Sequence, residues 1–368
     1  MKERAGRKKG ALCHAILFVA VFSSLNFLLI PLGRGESKSN IVRFAVMGDG
    51  PYLDKYFPII KSDLAETSSK VDFVVHVGDI FRGECTSGKL SRSARLFRFS
   101  KAPFFITIGD NEYNGCVCPD EALRNWRDVF SRFHESWKNF DNASHQQGRP
   151  ENTFFVSQKV LFVFLTLVGD PEFSRLESDR RMRANLRWLQ LGIERYQDTV
   201  EAIVVFAHAG ILRSTNKRYS KQFAKVFEGV RKPAYYFHGS IEGKLVDRQL
   251  LLLKQNYLEV PNLTRVGVEQ AGEVPSLIVT ISTGESVTMD LNRRLLQYQD
   301  QISGVQQSRD DASRRRLSLV RQYEYWVWVV KSGISVFLKC NMPWLYRFLT
   351  RKQSACRALI CDGVLPIL

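Results

Sequence analysis

Three apolar segments of the chain each end in a Gly-Asp pair, and this recurrence constrains the fold more than any other feature. The terminal aspartates, Asp49, Asp79 and Asp110, are 30 and 31 residues apart. That spacing is about the length of a strand, a crossover helix and the next strand. Parallel strands joined in this way have their carboxyl ends at one edge of a sheet, where ligands of open α/β sheets bind. We therefore expect three carboxylates at one rim.

Carboxylates brought this close repel one another and raise each other's pKa. A divalent cation is the usual reason to assemble them, because oxygen ligands neutralise and coordinate such ions. The sequence therefore predicts a metal site at the rim.

The positive charge of the chain is concentrated at its ends. The formal net charge of the 368 residues is +16, of which residues 1–40 carry +5 and residues 301–368 carry +7. The body between them is nearly balanced, and the sequence contains no zinc-finger or RNP motif. We therefore expect no nucleic-acid partner. The length allows one large α/β domain or two smaller ones.

The seven cysteines lack the paired spacing of a zinc ribbon or finger. Cys85 and Cys116 each lie a few residues beyond a Gly-Asp pair and should both lie near the rim. A disulfide between them is plausible outside the cytosol, with Cys118 as a competing partner. Two free buried thiols are the alternative.

The N-terminal 40 residues have the pattern of a signal sequence: basic residues precede a nearly uncharged apolar stretch at 11–32. This stretch suits either a cleaved signal peptide or a membrane anchor. In both cases the rest of the chain should be translocated, so we expect a secreted or membrane-anchored protein of the secretory pathway. The sequons at Asn142 and Asn262 fit that side of the membrane.

The chain divides into three predicted parts: the leader at 1–40, an α/β domain at 41–300, and a basic, aromatic extension at 301–368. Within the extension, residues 326–338 are too short and too interrupted by Lys331 to span a bilayer. They could lie on a membrane surface or pack on the domain, and disorder beyond Arg351 is a third option. Membrane association through the leader and the tail is thus a possible partner interaction.

Hydrophobic spacing within the domain predicts alternating strands and helices. We expect helices at 56–69, 121–137 and 178–196, and a polar surface loop at 141–152. Beyond the three Gly-Asp strands, strands are expected at 153–156, 160–168, 202–206, 234–237, 266–270 and 277–281. The strands predicted at 153–156 and 160–168 should form a hairpin, and the strand at 202–206 leads into His208.

The order of these motifs over residues 41–285 resembles the calcineurin-like metallophosphoesterases. A divergent branch of that family has the motifs Gly-Asp-x-Pro-Tyr, His-x-Gly-Asp and Gly-Asp-Asn-Glu. This chain contains them as Gly48 to Tyr52, His76 to Asp79 and Gly109 to Glu112. The resemblance implies an α/β fold in which a two-sheet β-sandwich is flanked by helices, giving four layers in the order α/β/β/α. It also implies a metal centre that activates a water molecule for attack on a phosphate ester.

The resemblance implies a ligand set for one or two divalent ions, with Asp79 as the bridging residue. The set consists of Asp49, Asp79, Asp110, His208 and Glu242. These oxygen-rich ligands favour Mn²⁺, Mg²⁺ or Ca²⁺ over zinc, and iron is a further possibility. The final motif departs from the branch pattern, since Ser240 and Glu242 replace an aspartate and a histidine. That departure bears on how much activity is retained.

The resemblance also assigns catalytic and substrate-binding positions. Asn111 occupies the place of the histidine that usually assists the leaving group, so acid catalysis must come from a bound water, from His238, or not at all. Asn111 and Arg82 are the candidate phosphate-binding residues. His76 is expected to support the site by hydrogen bonding rather than to bind metal.

Two functions follow from this interpretation. The first is a translocated, metal-dependent phosphoesterase, a hydrolase acting on an unidentified phosphate ester. The second is a catalytically degenerate relative that keeps the fold as a binding or surface-interaction module.

Overall fold

The computed structural model describes residues 40–83, 85–138, 142–169, 172–213, 215–239 and 253–292. Residues 1–39 of the predicted leader, the extension at 301–368, Ser240 and Glu242 lie outside the described residues. None of the helices in the described ranges combines the length and apolar character of a membrane span.

Twelve strands and five α-helices are formed by the described residues. The strands are β1 (Asn40–Met47), β2 (Phe73–His76), β3 (Phe104–Ile106), β4 (Ser144–Gln146), β5 (Arg149–Ser157), β6 (Val160–Phe164), β7 (Ala202–Ala207), β8 (Ala234–His238), β9 (Leu253–Lys254), β10 (Leu263–Gly267), β11 (Leu277–Thr283) and β12 (Thr288–Asn292). The helices are α1 (Tyr56–Thr67), α2 (Ser87–Phe97), α3 (Pro119–Phe130), α4 (Arg175–Tyr196) and α5 (Ser220–Val226).

Local sequence signals explain where several helices begin. The side chain of Thr86 accepts a hydrogen bond from the Lys89 amide at the start of α2, and Ser174 caps Glu177 in the same way at α4. Such side-chain caps satisfy amides that have no partner within the helix. Helix α3 begins at Pro119, a residue suited to the first helical turn because it lacks an amide hydrogen.

The first sheet contains five strands in the order β12-β11-β1-β2-β3. Strands β1, β2 and β3 are parallel and are connected through α1 and α2, as the spacing of the Gly-Asp pairs predicts. In their register Met47 lies opposite His76, and His76 lies opposite Ile106. The chain therefore leaves all three strands at one edge of the sheet.

The second sheet contains seven strands in the order β4-β5-β6-β7-β8-β10-β9. Strands β6, β7, β8 and β10 are parallel, and Ala207 of β7 pairs with His238 of β8. His208 therefore follows directly on the carboxyl end of a fully buried central strand.

The two sheets pack face to face through an aromatic core. The Phe44 ring stacks on Phe73 at 5.2 Å between centroids and meets Phe162, Phe206 and Phe237 edge to face at 5.5, 5.6 and 5.7 Å. Two further apolar clusters cover the outer faces of the sandwich beneath the helices. The result is the predicted α/β/β/α layering.

The structure corrects the polar surface loop that was predicted at 141–152. Strand β4 and the start of β5 lie there, because β4 is an edge strand and its polar residues are only half buried. Asn152 is buried, but its amide oxygen accepts two hydrogen bonds from Thr166 and its Nδ2 donates to Asn185. A polar side chain whose hydrogen bonds are all made can therefore lie in a buried strand, and the sequence of that strand then lacks the apolar pattern that would predict it.

Other boundaries also shift. The helix predicted to reach residue 137 ends at Phe130, and a 3-10 helix (Phe133–Ser136) follows. Strand β10 begins and ends three residues before the strand that was predicted at 266–270. Strand β12 was not predicted, because its side chains are mostly exposed and carry no apolar pattern.

We expect Phe44→Ala to lower the free energy of unfolding by about 3–5 kcal/mol, since the substitution leaves a cavity among four aromatic rings. Urea denaturation of the full-length chain would measure the loss. Phe99→Ala is the matched control, because Phe99 is 47% exposed and its truncation should cost less than about 1 kcal/mol. Equal losses for the two variants would contradict the assignment of Phe44 to the core.

Candidate metal centre

The loops that follow β1 and β2 lie in close contact at the rim. The Asp49 amide donates to the Gly78 carbonyl at 3.0 Å. A Cβ atom on Gly48 would lie 2.4 Å from Cγ2 of Val77, so the first loop needs glycine before its aspartate. Asp49 and Asp79 both have positive φ, at 55° and 63°. Backbone conformations of this kind cost free energy and are concentrated at functional sites.

The loop that follows β3 packs equally tightly on Asp79. A Cβ atom on Gly109 would lie 2.2 Å from Oδ1 of Asp79 and 2.3 Å from its amide nitrogen. A Cβ atom on Gly78 would in turn lie 2.8 Å from the Gly109 amide nitrogen, so the glycine of each Gly-Asp pair allows a neighbouring loop to approach. This steric requirement explains why the repeated motif is Gly-Asp and not aspartate alone.

His76 links the first two loops from beneath. Its Nε2 donates to the Gly50 carbonyl at 2.8 Å, and its Nδ1 accepts from the Gly78 amide at 3.1 Å. The Gly78 amide requires an Nδ1 without a hydrogen and hence a neutral ring, and burial lowers the pKa of His76 to about 3. These contacts give His76 the supporting role that the sequence predicts.

Glu112 joins the second and third loops. Its Oε1 accepts from the amides of Asp79 and Gly109 at 2.8 and 3.0 Å. The side chain is buried, and its Oε2 makes no hydrogen bond with any of the described residues. Burial, reinforced by the charge of Asp79, raises the pKa of Glu112 well above its usual value. Glu112 therefore acts as a clamp between two loops of the rim.

His208 points its ring into the group of carboxylates. Its Nδ1 lies 2.9 Å from the Val77 carbonyl, which can only accept, so Nδ1 carries a hydrogen. Its Nε2 lies 2.6 Å from Oδ1 of Asp110 and 3.4 Å from Oδ1 of Asp79. Burial alone would lower the pKa of His208, but Asp79 and Asp110 outweigh it and hold the pKa well above the usual value.

Asp79 accepts hydrogen bonds from several directions. The Asn111 amide donates to Oδ1 at 3.0 Å and the Asn111 side chain donates to Oδ2 at 2.8 Å. The Tyr52 hydroxyl lies 3.1 Å from Oδ2 of Asp79 and 3.2 Å from Oδ1 of Asp49. One hydroxyl hydrogen serves only one of these oxygens at a time. Burial raises the pKa of Asp79, and the charge of His208 opposes the rise.

Sequence reasoning did not identify Tyr52 or Glu112 as parts of the site. Both lie inside the motifs that were quoted, three residues after Asp49 and two after Asp110. Their contacts with neighbouring loops were not readable, because the approach of those loops depends on the packing of the whole sheet.

The residues at the rim fit a divalent cation. One ligand atom each from Asp49, Asp79 and His208 lies within 4.8 Å of the others. The Nδ1 hydrogen of His208 is fixed by a backbone carbonyl, which is how metal-binding histidines are usually oriented. Carboxylates held this close together repel one another, and a divalent cation would relieve that repulsion.

The structure brings together four of the five predicted ligands: Asp49, Asp79, Asp110 and His208. Glu242 belongs to residues 240–252, outside the described part. Gly239 lies beside the site, since a Cβ atom on it would lie 2.3 Å from Oδ2 of Asp49.

The contacts of His238 correct its predicted role as a general acid. Its Nε2 accepts from Nε of Arg265 at 2.6 Å, and its Nδ1 donates to the Gly239 carbonyl at 2.6 Å. Burial and the charge of Arg265 lower the pKa of His238 to about 3. Both ring nitrogens are thus engaged, and a leaving group would find no proton there.

Arg82 and the cysteines lie at the border of the site. The Arg82 guanidinium is 3.9 Å from the centroid of the Tyr52 ring, and the residue is exposed. Cys85 forms a disulfide with Cys116. Sγ of Cys85 lies 3.2 Å from the Asn111 carbonyl oxygen, so the disulfide packs against the backbone of a site residue.

A family model for calcineurin-like phosphoesterases matches residues 44–239, which contain every described residue of the rim. The chain belongs to this family. Its members bind divalent metal ions, in agreement with the donor set at the rim. A comparison with curated proteins finds no match.

Several solved structures are similar in fold. GAP50, "the anchor in the inner membrane complex of Plasmodium", is 13% identical with a TM-score of 0.41, over 69% of this chain and 89% of that chain. A purple acid phosphatase from yellow lupin seeds is 10% identical with a TM-score of 0.41, and the match covers 69% of this chain and 51% of the phosphatase chain. A 5'-nucleotidase from Candida albicans is 12% identical with a TM-score of 0.35, and the match covers 65% of this chain and 46% of the nucleotidase chain. These likenesses are too distant to carry a function.

We expect Glu112→Ala to destabilise the protein by about 2–4 kcal/mol, because two buried amides lose their acceptor. Glu112→Gln keeps a carbonyl oxygen for both amides and should cost less than about 1 kcal/mol. Denaturant unfolding of the full-length variants would measure both effects. If the two substitutions cost the same, the clamp formed by the side-chain oxygen is not what joins the loops.

Proposed function

We propose that the chain is a metal-dependent phosphoesterase that hydrolyses a phosphate ester. The observation that carries this proposal is the convergence of Asp49, Asp79, Asp110 and His208 on one rim. Membership of the calcineurin-like phosphoesterase family supports the same reaction class.

The four rim residues would hold the divalent ion. Such an ion supplies Lewis-acid polarisation of a phosphoryl oxygen and lowers the pKa of a bound water. The chain itself contributes the orientation of its ligands: Asn111 and Tyr52 fix the Asp79 carboxylate, and the Val77 carbonyl fixes His208. Ligands held in this way need no rearrangement when substrate binds.

Arg82 is the basic residue we assign to the phosphate group. Its guanidinium rests on the Tyr52 ring, and the Tyr52 hydroxyl touches both Asp49 and Asp79. A guanidinium offers several donors in a plane that matches phosphate oxygens. Stacking on the tyrosine limits its freedom and keeps the charge beside the site.

Among the residues that the structure describes, the rim offers no clear acid to the leaving group. Asn111 stands where the family usually has histidine, and its amide hydrogens are directed to Asp79. His238 has no ring N–H to spare. The leaving group would then take its proton from solvent, so esters with acidic alcohols, such as aryl phosphates, should be hydrolysed best.

The missing acid also favours a second candidate function. A site that binds metal and phosphate but protonates no leaving group could serve as a binding module. In that case the rim would recognise a phosphate-bearing partner without turnover.

We further propose that the domain works outside the cytoplasm, secreted or anchored to a membrane. The disulfide between Cys85 and Cys116 supports this location, since such bonds persist in oxidising compartments. Asn142 is exposed, whereas the Asn262 side chain donates to the carbonyls of Val230 and Lys232 at 2.7 and 2.6 Å. Of the two sequons, only the first is therefore proposed as a glycosylation site. Membrane association through the leader and the basic extension remains part of this proposal.

The full-length chain, purified in a mild detergent, should hydrolyse para-nitrophenyl phosphate when Mn²⁺, Mg²⁺ or Ca²⁺ is added and not in the presence of a chelator. Asp79→Asn should lower kcat/KM by at least about 100-fold, equivalent to about 3 kcal/mol of transition-state stabilisation. Release of nitrophenol and metal content measured together would test this expectation.

Asp128→Asn is the matched control, because Asp128 is exposed on α3, and it should leave the rate unchanged. Metal bound with no turnover of an activated ester would overturn the enzymatic function in favour of the binding module. Turnover that Asp79→Asn leaves intact would place the reaction elsewhere.

We expect Arg82→Ala to raise KM for the same ester about tenfold and to change kcat little, because the residue binds the phosphate group. Arg98→Ala is the control, since Arg98 is an exposed arginine over the Phe133 ring and should have no effect. Steady-state kinetics would separate the two parameters. An unchanged KM for Arg82→Ala would remove Arg82 from the substrate site.

A further inference from the structure

A second group of metal-ligating side chains lies outside the rim. His134 and Glu135 belong to the 3-10 helix Phe133–Ser136, and His145 belongs to β4. One ligand atom from each of the three residues lies within 4.8 Å of the others. The family motifs do not include these residues, and the rim does not use them.

The group lies where the edges of the two sheets meet. The His134 ring stacks on Phe105 of β3 at 4.5 Å and faces the His145 ring at 5.4 Å, nearly parallel. Strand β3 ends the five-stranded sheet, and β4 ends the seven-stranded sheet. A ligand bound here would therefore join the 3-10 helix, which packs on the last strand of one sheet, to the last strand of the other.

The hydrogen bonds of His145 define its tautomer. Its Nδ1 lies 2.8 Å from the Pro150 carbonyl, which can only accept, so the hydrogen is on Nδ1 and the lone pair is on Nε2. The Thr153 hydroxyl lies 3.2 Å from the same Nδ1. A backbone carbonyl bonded to the distal nitrogen is the arrangement that orients metal-binding histidines.

The Nε2 lone pair of His145 is buried and faces a second acceptor. It makes no hydrogen bond with any described residue, and Oε1 of Glu135 lies 3.9 Å away. A buried nitrogen lone pair without a hydrogen-bond partner, with a carboxylate oxygen at this distance, suits a cation placed between the two atoms.

We propose that His134, Glu135 and His145 bind a zinc ion. Two imidazole nitrogens and one carboxylate oxygen form a set that suits Zn²⁺, with water as the fourth ligand of a tetrahedral site. The rim differs because its ligands are mostly oxygen and favour harder cations. The zinc ion would fix the 3-10 helix to β4 and close the sandwich at its edge.

One positive group lies beside the proposed site. Nη1 of Arg132 donates to Oε1 of Glu135 at 2.5 Å. An ionised carboxylate has two oxygens with about four acceptor positions, so Glu135 can retain Arg132 and still bind the ion. The Glu135 carboxylate in turn offsets the repulsion between Arg132 and the cation.

The test is a zinc titration of the full-length chain in a mild detergent, after treatment with EDTA and in competition with a chromophoric chelator. The Asp79→Asn background weakens metal binding at the rim. We expect one equivalent of Zn²⁺ in this background, with a higher unfolding temperature when zinc is present. Adding Glu135→Gln should lower the zinc affinity at least about tenfold, and adding His145→Gln should abolish the binding and the thermal shift.

Glu121→Gln is the matched control, because Glu121 is exposed on α3, and it should leave zinc binding unchanged. The Glu135 side chain is 41% exposed, so Glu135→Gln should fold and is decisive even if His145→Gln does not. If the background and Glu135→Gln proteins bind zinc equally, the ion lies elsewhere in the chain and the proposal is overturned.

Discussion

Three carboxylates gathered on one rim, with one histidine directly among them, are the constraint on which the rest of the structure depends. Asp110 lies 2.6 Å from His208, and the Tyr52 hydroxyl lies between Asp49 and Asp79. Removing ionised groups from water is costly unless opposite charge or hydrogen bonds replace the lost hydration. The neighbouring loops supply those hydrogen bonds, and a cation at the rim would add opposite charge.

The loops can supply these hydrogen bonds only because their backbones approach one another closely. Glycine at 48 and 109 leaves space that a Cβ atom would fill, and Glu112 binds the amides of two loops with one oxygen. The positive φ of Asp49 and Asp79 is the conformational cost of this arrangement. Buried parallel strands with a stacked aromatic core provide the rigidity that sustains it.

The parts of this arrangement that follow from local pattern were predictable. An apolar run ending in Gly-Asp, repeated at the spacing of a strand-helix-strand unit, gives both the parallel strands and the convergence of their aspartates. Contacts between segments that are distant in sequence were not predictable. The bond from Arg265 to His238 joins residues 27 apart and reverses the expected role of that histidine. Strand β4 was read as a loop because an edge strand of polar residues has no apolar alternation.

The absence of a clear acid beside the described rim separates the two candidate functions in physical terms. Hydrolysis of an unactivated ester requires charge on the departing alkoxide to be neutralised by a proton or a cation. Asn111 cannot provide a proton, but by donating to Asp79 it keeps that carboxylate oriented toward His208 and Asp110. A rim of this kind retains what is needed to bind a cation and a phosphate group while losing one contribution to bond cleavage. Its rate of hydrolysis should therefore depend on the pKa of the leaving alcohol more steeply than in a relative with histidine at this position. Its affinity for phosphate should be independent of the leaving group.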